Sequence, residues 1–463
     1  MYAGPNGSGM KDYKRARWVG CHPVSWNDHP SIRFVHRPAA TVGVRRLSAI
    51  SGLLIVLALS VGAGRLLTAQ TDGQIGALLP PWSPGMLDIH QISTGRGNAA
   101  FFVLPDGTTL LADAGAAADG ALQTEPHPDG SRQPGNWIAR YIKRHLPLDA
   151  SGLDYALITH FHPDHMGQVT PSSPLDRTGT YKLTGITEVD DALPIRSLLD
   201  RGWPDYAYPG PLTDEMMVNY RRFVDLRHAH GMIVSRFRPG SSSQIRLQKE
   251  PSRYPGFEVR NVVANGEVWT GAGEATRRIF PPLESLSRGD WPSENMCSIG
   301  FRLQYGRFRY YTGGDLPGNQ DPGFPEWHAM EPAIAPVVGP VDVQVINQHG
   351  SMGEASDLWL RSVRSAVFIV PSWAPSHPAP DVLKRIVNSR IPPLPRYIFA
   401  TEMRDAARIV IGARADRLAG PPGHILVRVD QGGDRYQVFV LDNKDERDTV
   451  VAVTGPFRSA ALH

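Results

Sequence analysis

The sequence predicts an α/β domain built on two packed sheets, and three observations support this prediction. Short apolar segments and helical segments follow one another in two successive sets, over residues 86–159 and 257–441. Glycine (46) and proline (41) together are frequent and have no fixed period, which indicates a domain rich in loops rather than a fibrous chain. A dense histidine group directly follows one apolar segment, as expected of a functional loop at a strand end.

The first set consists of three strands, a helix and a further strand. Three strands separated by turns are predicted at 86–93, 99–104 and 109–113. Residues 136–146 (NWIARYIKRHL) have apolar side chains at helical spacing with basic side chains on one side, so we expect an amphipathic helix. The uninterrupted apolar run LDYALIT at 153–159 predicts a strand that is buried on both faces.

An irregular insertion is expected between the two sets. Residues 170–255 are rich in proline and glycine and contain one predicted helix, at 213–230, which is consistent with a lid on a larger scaffold. The second set then follows. Its strands are predicted at 257–263, 298–305, 308–312, 341–346 and 366–370, its helices at 356–363 and 380–389, and a closing hairpin at 425–441.

The basic charge is concentrated near the N-terminus. The net charge is +3, but residues 1–69 hold nine basic and two acidic residues, a net +7, which leaves the other 394 residues with 39 basic and 43 acidic, a net −4. Residues 47–64 are uncharged and apolar and follow Arg45 and Arg46. This pattern predicts a signal peptide or membrane anchor over 47–69, a buried core helix being the alternative.

The domain boundaries follow from this segment. We expect residues 1–46 to be a basic, disordered leader, 70–85 to be a linker, and 86–463 to be the functional domain. The domain is therefore expected to be exported to the periplasm or the cell exterior, or to stay at the membrane through 47–64. Cys21 and Cys297 are the only cysteines, which excludes a disulfide framework and a cysteine-rich zinc module.

The strongest functional motif is THFHPDHMG, at residues 159–167. His160 and His162 are two residues apart, so in extended backbone they project to the same side. A turn at Pro163 can then bring Asp164 and His165 to a second position. Imidazole nitrogens and carboxylate oxygens are the preferred ligands of zinc and related divalent ions, so we predict a metal site here. A cluster of surface histidines is the alternative.

This HxHxDH pattern after a buried strand resembles the signature of the metallo-β-lactamase-fold hydrolases. Three other segments follow the family's order: the opening hairpin that ends in DAG at Asp113, a strand pair that ends in GGD at Asp315, and the segment INQHGS around His349. The resemblance is to the branch that contains the metallo-hydrolase domain of competence DNA-uptake channel proteins and the phosphorylcholine esterases. It implies a four-layer αββα sandwich over about residues 86–390.

The resemblance also implies two metal sites and their chemistry. His160 and His162 would hold one ion, Asp164, His165 and His349 would hold the second, and Asp315 would bridge both. The ions would be zinc, with manganese as the alternative, and a hydroxide on the metals would be the nucleophile. Asp113 would orient a ligand histidine; capping of a strand-to-loop turn is an equally good interpretation of this residue.

Two departures from the family pattern concern the first metal and proton transfer. No histidine lies between His230 and His328, where the family supplies a further ligand, so Glu294, Asn295 or a water is expected to take that place. Gln348 stands beside His349 where the branch has a second histidine; it can bind substrate but cannot act as a general acid.

His377, in the segment WAPSHPAP, is a candidate for proton transfer or for the missing imidazole, an exposed loop histidine being the alternative. The catalytic candidates are therefore Asp164, Gln348 and His377.

Together these features predict an exported, metal-dependent hydrolase. By resemblance, its substrates are small-molecule or polymeric esters of the phosphodiester type. An acyl hydrolase acting on lactams, lactones or thioesters is the first alternative, and a degenerate binding protein without activity is the second. The net charge of −4 outside residues 1–69 gives the domain no general attraction for nucleic acid.

Overall fold

Seventeen strands form two sheets in the computed structural model, which describes residues 74–118, 124–319 and 323–460. The predicted leader (1–46) and targeting segment (47–69) lie outside these residues. Within them, no helix has the length and hydropathy needed to cross a bilayer. The described part of the predicted linker, 74–85, is largely irregular and pairs at Leu78 with Thr449.

The first sheet has nine strands and mixed pairing. Its strands are β1 (Leu87–Gln91), β2 (Ala100–Val103), β3 (Thr109–Ala112), β4 (Leu153–Leu157), β5 (Ile195–Asp200), β6 (Ile233–Arg236), β15 (His424–Val429), β16 (Arg435–Leu441) and β17 (Val450–Arg458). The order is β17-β16-β15-β1-β2-β3-β4-β5-β6. Strands β3 to β6 run parallel, and the other neighbours are antiparallel.

The second sheet has eight strands. They are β7 (Phe257–Ala264), β8 (Glu267–Trp269), β9 (Thr276–Arg278), β10 (Gly300–Tyr305), β11 (Phe308–Thr312), β12 (Val343–Val345), β13 (Val367–Val370) and β14 (Tyr397–Ala400). The order is β14-β13-β12-β11-β10-β7-β8-β9, with parallel pairing from β11 to β14. Strands β12 and β13 are buried at every residue and β13 is a continuous apolar run (VFIV), as expected of strands covered on both faces.

Helices cover the outer face of each sheet. They are α1 (Pro134–His145), α2 (Pro163–Met166), α3 (Ile186–Ala192), α4 (Glu215–Ala229), α5 (Glu331–Val338), α6 (Asp357–Val363), α7 (Pro380–Asn388) and α8 (Asp405–Ile411). Buried side chains of α1, α3 and α4 pack on the first sheet, and those of α5 to α8 pack on the second. Between the sheets lies a third apolar core, in which Phe102 contacts both Phe301 and Tyr310. The predicted four-layer αββα sandwich is confirmed.

The structure differs from the expectation over residues 170–255. This segment contains α3, α4 and the strands β5 and β6, which extend the first sheet by parallel pairing, so it is part of the scaffold rather than a lid. The sequence IRSLLD of β5 mixes polar and apolar residues, since its first half is partly exposed and only its second half is buried. Neither strand therefore has the alternating or fully apolar pattern from which strands are predicted.

Five strands direct the predicted site residues to one region. Asp113 follows β3, the histidine motif follows β4, Asp315 follows β11, His349 follows β12, and the loop to His377 follows β13. Two glycines make close approach possible: a Cβ atom at Gly97 or Gly115 would collide with the main chain of Asp164.

Candidate metal centre

Four predicted ligands form a tight, largely buried group. Asp164, His165, Asp315 and His349 each place a donor atom within 4.8 Å of the others. Nε2 of His349 lies 3.0 Å from Oδ2 of Asp164 and 3.3 Å from Oδ1 of Asp315. Nε2 of His165 lies 3.1 Å from the same Oδ1 atom. We refer to these four residues as group A.

The remaining two predicted ligands form a second group with the same aspartate. Nε2 of His160 lies 3.0 Å from Nδ1 of His162 and 3.8 Å from Oδ2 of Asp315. His160, His162 and Asp315 thus lie within 4.8 Å of one another, and we refer to them as group B. Asp315 presents one carboxylate oxygen to each group.

The hydrogen bonds around the group A imidazoles fit a divalent metal. Nδ1 of His349 lies 2.9 Å from the carbonyl oxygen of Pro371, to which it donates, and Nδ1 of His165 lies 2.7 Å from the Asp113 carboxylate. When these nitrogens carry the ring protons, the two Nε2 atoms are lone-pair donors, and they face each other at 3.1 Å. Oδ1 of Asp315 is buried without a hydrogen-bond partner within the described chain. Such converging acceptors are satisfied by a cation.

The electrostatics of group A follow from burial and charge. Burial alone would lower the pKa of His349, but the Asp315 and Asp164 carboxylates outweigh it and raise that pKa to about 9. Burial would raise the pKa of Asp315, yet the neighbouring imidazoles of His349 and His165 hold it well below its usual range. The metal-free site therefore keeps protons on its imidazoles, and a metal ion would replace them.

Asp113 fixes the orientation of group A. Its carboxylate accepts hydrogen bonds from the main-chain nitrogen and hydroxyl of Thr159 and from the side-chain amide of Asn98, besides its contact with His165. It is fully buried. The residue thus ties the start of the histidine motif to the hairpin between β1 and β2, and it holds the His165 ring in place.

Asp113→Asn is expected to weaken divalent metal binding to group A by about 10- to 100-fold. One carboxylate oxygen would become an amide NH₂ group, which cannot accept the hydrogen bonds that Thr159 and Asn98 donate to this side chain. Competition with a chromophoric chelator measures the affinity. The matched control is Asp106→Asn, a buried carboxylate that accepts bonds from Thr108 and Lys249 away from the metal groups. Equal affinity in the two variants would show that Asp113 does not orient a ligand.

Glu294 does not take the place of the missing ligand in group B. Its carboxylate forms a two-point ion pair with the guanidinium of Arg201, with Nε 2.7 Å from Oε1. Oε1 also accepts a hydrogen bond of 2.7 Å from the main-chain nitrogen of Phe161, which lies between the two histidines of group B. Arg201 is fully buried and its guanidinium lies over the Phe161 ring. The ion pair therefore holds the backbone of the histidine motif.

The other catalytic candidates lie beside group A. Gln348 directly precedes His349, has a positive φ of 46°, and lines a cavity next to the group. His377 stacks on the ring of His349, with centroids 5.0 Å apart and ring planes 19° apart. It is buried, so the alternative of an exposed loop histidine is wrong. Burial and the neighbouring His349 lower its pKa to about 3, so its ring is neutral at neutral pH. It belongs to neither metal group.

A buried carboxyl pair supports the loop that carries Gln348 and His349. Glu331 accepts hydrogen bonds from the Asn347 side chain and from the main chain of Ala355 and Ser356. Glu354 accepts one from the main-chain nitrogen of Gly318. Burial raises the pKa of Glu331 to about 7, and burial together with the Glu331 carboxylate raises that of Glu354 well above its usual range.

This pair predicts a loss of stability as pH rises. Both pKa values are higher in the folded state than in the unfolded state (~4.3), so the folded protein binds more protons and stability falls from about pH 4.5 through pH 7 and above. The slope is up to about 1.4 kcal/mol per pH unit for each proton. Urea unfolding with chelator present should show a smaller slope in Glu354→Gln than in wild type. The exposed control Glu250→Gln should keep the wild-type slope, and identical slopes in all three proteins would contradict the prediction.

Comparison with known proteins places the histidine motif within a recognised domain. Residues 93–171 match the family model described as the metallo-beta-lactamase superfamily. This stretch contains Asp113 and the whole HxHxDH motif. The predicted resemblance is therefore confirmed at the level of the superfamily, and the branch within it stays a prediction. No curated protein matches the chain.

Several solved structures are similar at low identity. They include a mutant of the CmlA beta-hydroxylase, at 14% identity and TM-score 0.33, with 64% of this chain and 47% of that chain covered. Human tRNase Z, short form, is 12% identical with TM-score 0.26, covering 56% and 77%. A protein of unknown function from Enterococcus faecalis V583 is 10% identical with TM-score 0.26, covering 57% and 49%. The chain thus spans about half the length of the first of these structures.

Proposed function

We propose that this chain, which carries a metallo-β-lactamase superfamily domain, is a metal-dependent hydrolase of phosphodiester-type substrates. The observation that supports this function best is the pair of ligand groups joined by Asp315, with one carboxylate oxygen near each group. A pair of ions held in this way suits in-line displacement at phosphorus, because the attacking and leaving oxygens can each be stabilised. We further propose zinc as the ion, since the donors are imidazoles and carboxylates.

A divalent ion at these groups would activate water and stabilise the negative charge that develops on the ester. The chain itself supplies orientation. Asp113 and the carbonyl of Pro371 fix the rings of His165 and His349. The Gln348 amide, at the cavity next to group A, can donate a hydrogen bond to an ester oxygen. His377 stacks on the ring of His349 and is a positioning residue for that ring.

The proposed activity is tested with three chromogenic substrates: bis(p-nitrophenyl) phosphate, the lactam nitrocefin, and an acyl thioester. We expect hydrolysis of the phosphodiester and its loss in Asp164→Ala and His349→Ala. The control is His230→Ala, an exposed histidine outside both groups. Hydrolysis of nitrocefin or the thioester alone would favour the acyl alternative. Full phosphodiesterase activity in both group A variants would show that these residues are not the ligands.

We also propose that residues 47–69 direct export. The support is their uncharged, apolar composition after a net positive leader. Cell fractionation of a host that expresses the full chain, with N-terminal sequencing of the product, tests this. Recovery from the cytoplasm with Met1 retained would contradict the proposal.

A further inference from the structure

A cavity of about 790 Å³ lies beside group A. Gln348, which precedes His349, forms one part of its wall, and Ser376 and Pro378, which flank His377, form another. The volume is in the range of sites that bind small molecules. The cavity is thus placed to receive the part of a substrate that extends away from the metal groups.

The wall of this cavity combines polar side chains with several large apolar ones. The large apolar side chains of the wall are Trp291, Met296, Phe324, Met352 and Val410. The last three are large apolar residues with 41%, 82% and 70% of their surface exposed. Single exposed apolar side chains scattered over a surface are common and have no functional meaning. Several of them around one cavity indicate a binding surface.

The cavity lacks the charges that a polyanion requires. None of the lining residues that the structure describes is lysine or arginine. Glu354 lies in the wall and is 1% exposed. Burial, together with the neighbouring Glu331 carboxyl, raises the pKa of this group well above its usual range. Proteins that hold nucleic acid strands depend on basic side chains along the backbone path, and this wall offers none among the described residues.

Some residues of the wall carry buried polar atoms that lack a partner. Nε1 of Trp291 and Oδ1 of Asn295 have no hydrogen-bond partner within the described chain. They flank Glu294, whose ion pair with Arg201 anchors this segment. The wall therefore combines polar and apolar side chains with no lysine or arginine among the described residues, which suits a neutral or weakly polar group.

We propose that this cavity binds the apolar substituent of the substrate, so that the enzyme acts on compact phosphodiesters with an alkyl or aryl group and not on nucleic acid strands. This inference rests on the proposed function and narrows its substrate class. Trp291 and Met352, which both line the cavity, determine the specificity.

The test compares methyl and butyl p-nitrophenyl phosphate, which share a leaving group and differ only in the apolar substituent. With the zinc-loaded full chain, kcat/KM for the butyl ester should exceed that for the methyl ester by at least ~10-fold. Met352→Ser, a change at an exposed side chain, should bring the two values closer together. Ile75→Ser, at another exposed apolar residue that does not line the cavity, should keep the wild-type ratio.

Equal kcat/KM for the two esters, or faster cleavage of a single-stranded oligothymidylate than of either, would overturn the inference while leaving the proposed function intact. If neither ester is cleaved, the proposed function fails, and calorimetry of the zinc-loaded chain then tests the cavity alone. Butyl phosphate should bind at least ~10-fold more tightly than inorganic phosphate in wild type, and less tightly in Trp291→Ala and Met352→Ser. Equal binding of the two ligands would overturn the inference.

Discussion

Replacement of Asp315 by alanine is expected to remove metal from both groups and to lower phosphodiesterase kcat/KM by at least ~10³-fold. The physical reason is that this carboxylate is the only ligand that the two groups share among the described residues. Metal ions stabilise the charge of the transition state by several kcal/mol, which corresponds to a loss of roughly this size.

The comparison with His162→Ala makes this prediction specific. His162 belongs to group B alone, so this variant should retain the ion of group A. Metal content and kcat/KM are measured for both variants together with Asp434→Ala, an exposed aspartate in the turn between β15 and β16. If Asp315→Ala retains as much metal as His162→Ala, Asp315 does not bridge the groups.

Arg201→Met is expected to have the largest effect on stability, a loss of about 3–5 kcal/mol in the free energy of unfolding. The guanidinium is fully buried, pairs with Glu294 at two points and also donates to the carbonyl oxygen of Tyr208 and to Asn265. Its removal leaves the Glu294 carboxylate largely buried with only the Phe161 main-chain nitrogen as a partner. Urea unfolding of the metal-free protein gives the free energy.

The control for this variant is Arg253→Met. It removes an ion pair with Glu250 in which both side chains are exposed to solvent. That change should leave the free energy of unfolding close to the wild-type value, because water screens an exposed ion pair. Glu294→Gln in the Arg201→Met background should recover part of the loss, because the unpaired charge is gone. A loss in Arg201→Met no larger than in Arg253→Met would mean that the buried pair does not hold the histidine motif.

The sequence predicted the elements that have strong local patterns. The apolar run before His160 and the amphipathic segment at 136–146 correspond to β4 and α1 within a few residues. The six predicted ligands come from loops after three different strands, and the structure brings all six together. This convergence was predictable, because the motif contains metal-binding residue types and the other segments follow it in the same order as in the family.

Other features depend on tertiary contacts that no local pattern records. Strands β5 and β6 are short and mixed in polarity, so only their pairing with β4 identifies them as part of the sheet. Arg201 and Glu294 are 93 residues apart, and their ion pair is formed only when the two sheets pack. The only sequence signal for this ion pair was the acidic residue Glu294 near the expected ligand position. Nothing in the composition indicated that a buried arginine would pair with that residue.

The number of divalent ions bound per chain tests the central claim most directly. After zinc loading and dialysis of the full chain, elemental analysis should find two ions per wild-type chain, one for each group that shares Asp315. Fewer than one ion per chain would contradict the assignment of both groups and favour a binding protein without hydrolytic activity.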